Sequence, residues 1–177
     1  VGGDEIETFE HLVAKLCGTK HAIALNSGTD AIIYALKALE IGPGDEVITP
    51  PNSFIATTAA IIQVGATPVF VDVQADQNID ATLIEQSITS RTRAIMPVHL
   101  TGRMADMHSI MEIAGKYGVA VIEDAAQSIG SLFDQKPSGS IGSVGCFSTH
   151  PLKNLNACGD GGFVTTDDEK IANTIHL

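Results

Sequence analysis

Lys153 lies in the run Phe147-Ser148-Thr149-His150-Pro151-Leu152-Lys153-Asn154, and Gly159-Asp160-Gly161-Gly162 follows it. Upstream, Asp124 closes the apolar run Val119-Ala120-Val121-Ile122-Glu123. A lysine amine can hold an aldehyde as a Schiff base. A carboxylate at a strand end can keep a pyridine nitrogen protonated, and the ring then draws electrons from a substrate carbon. A lysine, a strand-end aspartate and a glycine-bracketed loop are together what a pyridoxal phosphate enzyme requires.

Each group also has a plainer reading. A single lysine is usually a solvated one, and a strand-end aspartate often caps the next helix. Ser27-Gly28-Thr29 precedes a helical pattern, where backbone N–H groups and the positive dipole end attract phosphate and glycine allows close approach. Simple capping uses the same residues. The surroundings of Lys153 shift the balance. Pro151 stiffens the chain, Gly159, Gly161 and Gly162 permit a tight turn beside a bulky ligand, and Ser148 can offer a hydroxyl to phosphate. Phe54 can stack on a planar ring, although loop phenylalanines commonly just pack. Glu123 is expected to face away from Asp124, because successive strand residues alternate.

The elements that must position these groups alternate along the chain. Residues 5–17 pattern as an amphipathic helix with Ile6, Phe9, Val13 and Leu16 on one face. Strands are expected at 21–25, 46–49, 67–72, 94–100, 119–124, 143–148 and 162–166. Helices are expected after Asp30 (burying Ile32, Ile33, Leu36 and Leu39), at 55–63, at 80–89 opened by Asp80, and at 106–116 before Gly118. This predicts an α/β fold: a three-layer α/β/α arrangement with a mostly parallel seven-stranded sheet. Ligands in such sheets bind at the carboxyl ends of the strands. Asn26–Asp30, the 50–54 loop, Asp124 and Ser148–Lys153 all follow strand ends, so they are expected at one rim.

The composition excludes other classes. The 177 residues suit one domain, 44% of them are apolar, and the net charge of −11 opposes wrapping nucleic acid. Cys17, Cys146 and Cys158 form no C-x-x-C pair, which suits a reduced, cytoplasmic setting. The six histidines lack H-x-x-x-H spacing, so no metal site is expected. There is no apolar run long enough for a membrane span, no Walker motif, no G-x-G-x-x-G after a strand and no G-x-S-x-G. The acidic residues read as solvated surface. The start at Val1-Gly2-Gly3 and the helix-like end are what a fragment would show.

Over nearly its whole length the chain resembles the DegT/DnrJ/EryC1/StrS sugar aminotransferases, of pyridoxal phosphate fold type I. The matching stretches run from Asn26 to Ala31, Gly42 to Val47, Gly65 to Asp72, Pro97 to Gly102, Glu123 to Gln127, and Phe147 to Leu155 with Gly159 to Gly162. The resemblance implies that Lys153 is the Schiff-base lysine and Asp124 the pyridinium partner. It implies that Gln127 lies near the cofactor's 3-hydroxyl, that Ser27, Gly28, Thr29 and Ser148 hold phosphate, and that Phe54 covers the ring. An amine from glutamate or glutamine would pass to a nucleotide-linked keto sugar. Dehydratases of the family carry histidine at the lysine position, whereas Lys153 favours transamination. Family members are roughly twice as long. Residues 1–177 therefore resemble the large cofactor domain without the smaller C-terminal one, and the family's active site is shared across a homodimer. A cyclitol aminotransferase, or a regulatory domain of the same fold, is the other reading.

Overall fold

The computed structural model describes residues 3–176. Its strands are β1 (His21–Leu25), β2 (Glu46–Thr49), β3 (Thr67–Phe70), β4 (Thr92–Ile95), β5 (Ala120–Asp124), β6 (Leu132–Phe133), β7 (Lys136–Pro137), β8 (Val144–Ser148) and β9 (Gly162–Thr166). The helices are α1 (Asp4–Cys17), α2 (Gly28–Ala38), α3 (Ile55–Gln63), α4 (Ala81–Ile84), α5 (Met107–Tyr117) and α6 (Glu169–His176). Seven strands form one sheet in the order β1-β9-β8-β5-β4-β2-β3, and β6 pairs only with β7. β9 runs antiparallel to both neighbours, while β2, β3, β4, β5 and β8 pair in parallel. β1 therefore points the same way as β8, and six strands send their carboxyl ends to one edge.

The three layers follow from strand alternation. Val47, Ala94 and Ile122 enter one apolar cluster with α2, α3 and α6. Their neighbours Ile48, Ile95 and Val121 enter a second cluster on the opposite face, with Ile84 of α4 and Met107, Ile110 and Ala114 of α5. Successive residues buried on opposite faces explain why the strands read as continuous apolar runs. A third cluster joins α1 to the β8–β9 edge, where Phe147 stacks on Phe163 with centroids 4.6 Å apart.

Several sequence expectations need correction. α1 buries Val13, Ala14 and Cys17 with Phe9 beside them, whereas Ile6 and Leu16 are exposed. Phe9 and Val13 of the predicted face do point inward, with Phe9 edge-on to Phe163 at 5.6 Å, but the buried face continues through Ala14 and Cys17 instead of Ile6 and Leu16. The helix expected over 80–89 is a single α turn, Ala81–Ile84, continued by a 3₁₀ turn at Glu85–Ser87. Asp80 does cap it, but the chain must turn at Thr89 into β4. β4 begins two residues early and stops at Ile95, and Pro97 beyond it has no N–H to donate. The sheet contact resumes only as a bridge between Val98 and Asp124. The acidic residues are not all surface groups either: Glu46 and Glu123 are buried.

Candidate active site

A pocket of about 450 Å³ opens where the parallel strands end, and every sequence-predicted site residue lines it: Ser27, Gly28, Thr29, Phe54, Asp124, Gln127, Ser148 and Lys153. They come from the ends of β1, β2, β5 and β8, brought together by the strand order. The lining also includes Thr57, Val98, His150, Leu152 and Asp160. A larger crevice of about 670 Å³ lies at the opposite edge, between the starts of β4 and β5. Its ionisable lining groups are Arg93 and Tyr117, and each is already paired at the surface, Arg93 with Asp45 and the Tyr117 hydroxyl donating to Glu85, so neither is left over for acid–base chemistry.

One end of the pocket is built for an anion. The Ser27 hydroxyl accepts the Asp30 N–H at 3.0 Å, capping α2. The Ser27 oxygen therefore caps the helix, as the plainer reading expected, while its hydroxyl hydrogen stays available to donate. Among the described residues, the N–H groups of Gly28 and Thr29 have no acceptor, so they stand free at the positive end of the helix. A Cβ on Gly28 would lie 2.6 Å from Cβ of Ser148. That absent side chain brings α2 and the end of β8 together and leaves the cradle open. Ser148 Oγ accepts the His150 N–H at 3.3 Å, which keeps its own hydroxyl hydrogen available.

The other end is built for a cation. Asp124 is buried; its Oδ2 accepts a 2.6 Å bond from the Thr57 hydroxyl and its Oδ1 a 3.2 Å bond from the Ala126 N–H. Burial pushes its carboxyl above the ordinary range, against the pull of these bonds and of nearby Lys153. A buried carboxylate in that state gains from a positive group placed against it. Thr57 was missed in the sequence. Its signal was a hydroxyl on the inner face of α3, in register with Ala60 and Ile61.

Lys153 sits in the turn after β8, its N–H donating to His150 O at 2.8 Å. Its amine makes no hydrogen bond to the described residues and is free to react. The glycines after it act differently from the expected turn. None has a positive φ. A Cβ on Gly161 would meet Thr149 Oγ1 at 2.5 Å, and one on Gly162 would meet the Ser27 carbonyl at 2.5 Å. They let the start of β9 pack against Thr149 and the residue that opens α2. Phe54 is 70% exposed at the pocket mouth, able to cover a flat ring. Gln127 Oε1 accepts the Thr101 N–H at 2.8 Å.

Glu123 faces away from the pocket, as alternation required, and is fully buried. Its carboxylate accepts the N–H groups of Gly139, Ile141 and Gly142 and pairs with His99 Nε2 at 2.9 Å. Burial opposes its charge, yet the His99 and backbone bonds hold its carboxyl below the ordinary value. Among the described residues no group of His, Cys, Asp and Glu is arranged to hold a metal ion, and no helix is long and apolar enough to cross a membrane.

An anion cradle, a buried carboxyl and a free amine around one cavity fit a flat, phosphorylated, aldehyde-bearing pyridine. Comparison with known proteins agrees with that chemistry. The model of the DegT/DnrJ/EryC1/StrS aminotransferase family matches residues 1–177. A UDP-N-acetyl-3-dehydro-alpha-D-glucosamine 3-aminotransferase of Acidithiobacillus ferrooxidans is 53% identical over 96% of this chain and 46% of its own length. The solved structure of DesV from S. venezuelae, in complex with a ketimine intermediate, superposes with a TM-score of 0.96 at 46% identity, over 99% of this chain and 47% of that one. The PLP form of the sugar aminotransferase Spr1654 from Streptococcus pneumoniae gives 0.94 at 34% identity, over 99% and 50%. The chain thus spans about half the length of the relatives it matches.

Proposed function

The chain belongs to the DegT/DnrJ/EryC1/StrS aminotransferase family, and from that premise we propose that the full-length protein is a pyridoxal phosphate-dependent aminotransferase. It moves an amino group from glutamate or glutamine to a nucleotide-linked keto sugar. The named relative acting on a UDP-linked 3-keto sugar supports this substrate class. The observation that carries the reading is the shared pocket of Lys153 and the buried, upshifted Asp124 beside the free N–H groups of α2.

When bound, pyridoxal phosphate supplies an aldehyde that can carry an amine and a ring that withdraws electrons. The chain does the rest. Gly28 and Thr29 bind the phosphate through backbone N–H groups, and Ser148 adds its hydroxyl. Asp124 holds the proton on the ring nitrogen, because an ion pair there relieves its burial. Lys153 would hold the aldehyde through its amine and would be the group that moves the proton at the reacting carbon. Phe54 covers the ring face, and Gln127 bonds the ring oxygen.

In this reading residues 1–177 are the large cofactor domain, and the other half of the relatives' length includes a smaller domain. The enzyme is cytoplasmic, consistent with its unpaired cysteines, and works as a homodimer, consistent with the exposed apolar Phe54, Ile55 and Leu152 around the pocket. The test is borohydride fixation of the full-length protein with pyridoxal phosphate, followed by peptide mass spectrometry. A cofactor mass on Lys153, lost in Lys153→Ala together with amine transfer from glutamate to UDP- or dTDP-linked keto sugars, is the expected result. A protein that stays colourless and unlabelled would sink the reading.

A further inference from the structure

Thr101 has φ 55°, a left-handed conformation that a β-branched residue seldom adopts. Such strain persists only where the surroundings over-determine it. Here they do. The His99 ring accepts the Ala105 N–H at Nδ1, 3.2 Å away, so its proton lies on Nε2 and donates to Glu123. The ring therefore pins both ends of the 99–105 loop to the buried face of β5. The His99 N–H also donates to the Asp124 carbonyl at 3.0 Å. Buried Asn78 ties Leu100 to Arg103 and Met104, and the Ser131 hydroxyl holds the Gly102 carbonyl at 2.7 Å. The product of all these ties inside the pocket is one bond, from the Thr101 N–H to Gln127 Oε1 at 2.8 Å.

That bond selects which end of the Gln127 amide is free. With Oε1 taken by a donor, the remaining group is –NH2, which has no acceptor among the described residues, and Gln127 lines the pocket. We propose that Glu123, His99 and Thr101 form a positioning arm that fixes Gln127 as a hydrogen-bond donor toward an anionic ring oxygen. The inference rests on the aminotransferase reading and deepens it. Glu123 and His99 touch neither substrate nor cofactor in this account; they act through the loop. Chemically, a donor on the ring oxygen makes that oxygen less basic. A proton held at that oxygen would then be released at lower pH.

The experiment uses the full-length protein. In cofactor-free samples, hydrogen exchange at the Thr101 amide reads the arm alone. Exchange should be slow in wild type and faster in Gln127→Leu and in His99→Leu. In His99→Gln it should again be slow, because an amide can donate to Glu123 and accept from Ala105. With pyridoxal phosphate bound, the pH midpoint of the cofactor's absorbance change should rise by about one unit in His99→Leu, the size of one lost bond to a charged group. It should return toward wild type in His99→Gln, and His99→Leu should add nothing in a Gln127→Leu background. Asp124, His150, Lys153 and Asp160, the other titratable groups lining the pocket, stay unchanged throughout. A midpoint unmoved in His99→Leu overturns the arm while leaving the cofactor reading intact. If His99→Leu does not fold, unaltered Thr101 exchange in Gln127→Leu overturns it instead. Failure to bind pyridoxal phosphate at all removes the parent reading, and the exchange data then stand apart from it.

Discussion

The Thr57 hydroxyl donates a 2.6 Å hydrogen bond to Asp124 Oδ2 across 67 residues of sequence. It ties the inner face of α3 to the end of β5 and supports the carboxylate that the pocket buries. Removing this donor in Thr57→Val should drive the Asp124 carboxyl still higher. Carboxyl 13C titration of the cofactor-free protein checks it, and an unchanged midpoint would show that the bond does not support the charge.

Asp124 itself is expected to trade stability for function. Its folded carboxyl is raised above the unfolded value, so its contribution to stability is present at low pH and lost as pH rises through the folded value. At neutral pH the cofactor-free protein carries this cost. Asp124→Asn removes it and should melt at or above the wild-type temperature, while gaining less from saturating pyridoxal phosphate. A variant several degrees less stable without cofactor, yet equally stabilised by it, would contradict the role.

Glu123 should behave in the opposite sense. Its folded carboxyl is depressed, so its stabilisation is present above the unfolded glutamate value and fades as pH falls through the lower, folded one. Glu123→Ala strands three backbone donors and the His99 ring and should cost about 3–5 kcal/mol. Urea denaturation at pH 7 measures the loss. The acid limb of the stability curve should also be shallower in the variant.

Two glycine substitutions should differ in sign. Gly28→Ala places a methyl 2.6 Å from Ser148 Cβ. It should cost about 1–3 kcal/mol and weaken cofactor binding at least tenfold. Gly115→Ala, inside α5 with nothing within 4 Å, should stabilise by about 0.5–1 kcal/mol and leave binding alone. Denaturation midpoints and cofactor titrations of both variants separate the two.

The strand–helix alternation, the cap at Asp80 and the rim of chemistry-bearing loops were legible because each is a local pattern of polarity and turn residues. Helix α1 shows where that ends. Its period was right and Phe9 and Val13 do face inward, but burial passes to Cys17 and leaves Leu16 outside, which depends on what stands opposite each. Gly159, Gly161 and Gly162 were read together as turn formers, and only the neighbours Thr149 and Ser27 reveal Gly161 and Gly162 as packing sites.

The chain by itself determined which residue types stand at strand ends: a lysine, an aspartate, a helix-opening Ser-Gly-Thr. Alternation also determined that Glu123 must turn away from Asp124. Tertiary structure decided how those groups are tuned. Whether a carboxylate is stabilised or stranded depends on its donors and its burial, and both come from residues distant in sequence. Glu123 meets His99 and the 139–142 loop, and Asp124 meets Thr57. Two adjacent acids therefore shift in opposite directions, and only the folded chain brings their different partners within reach.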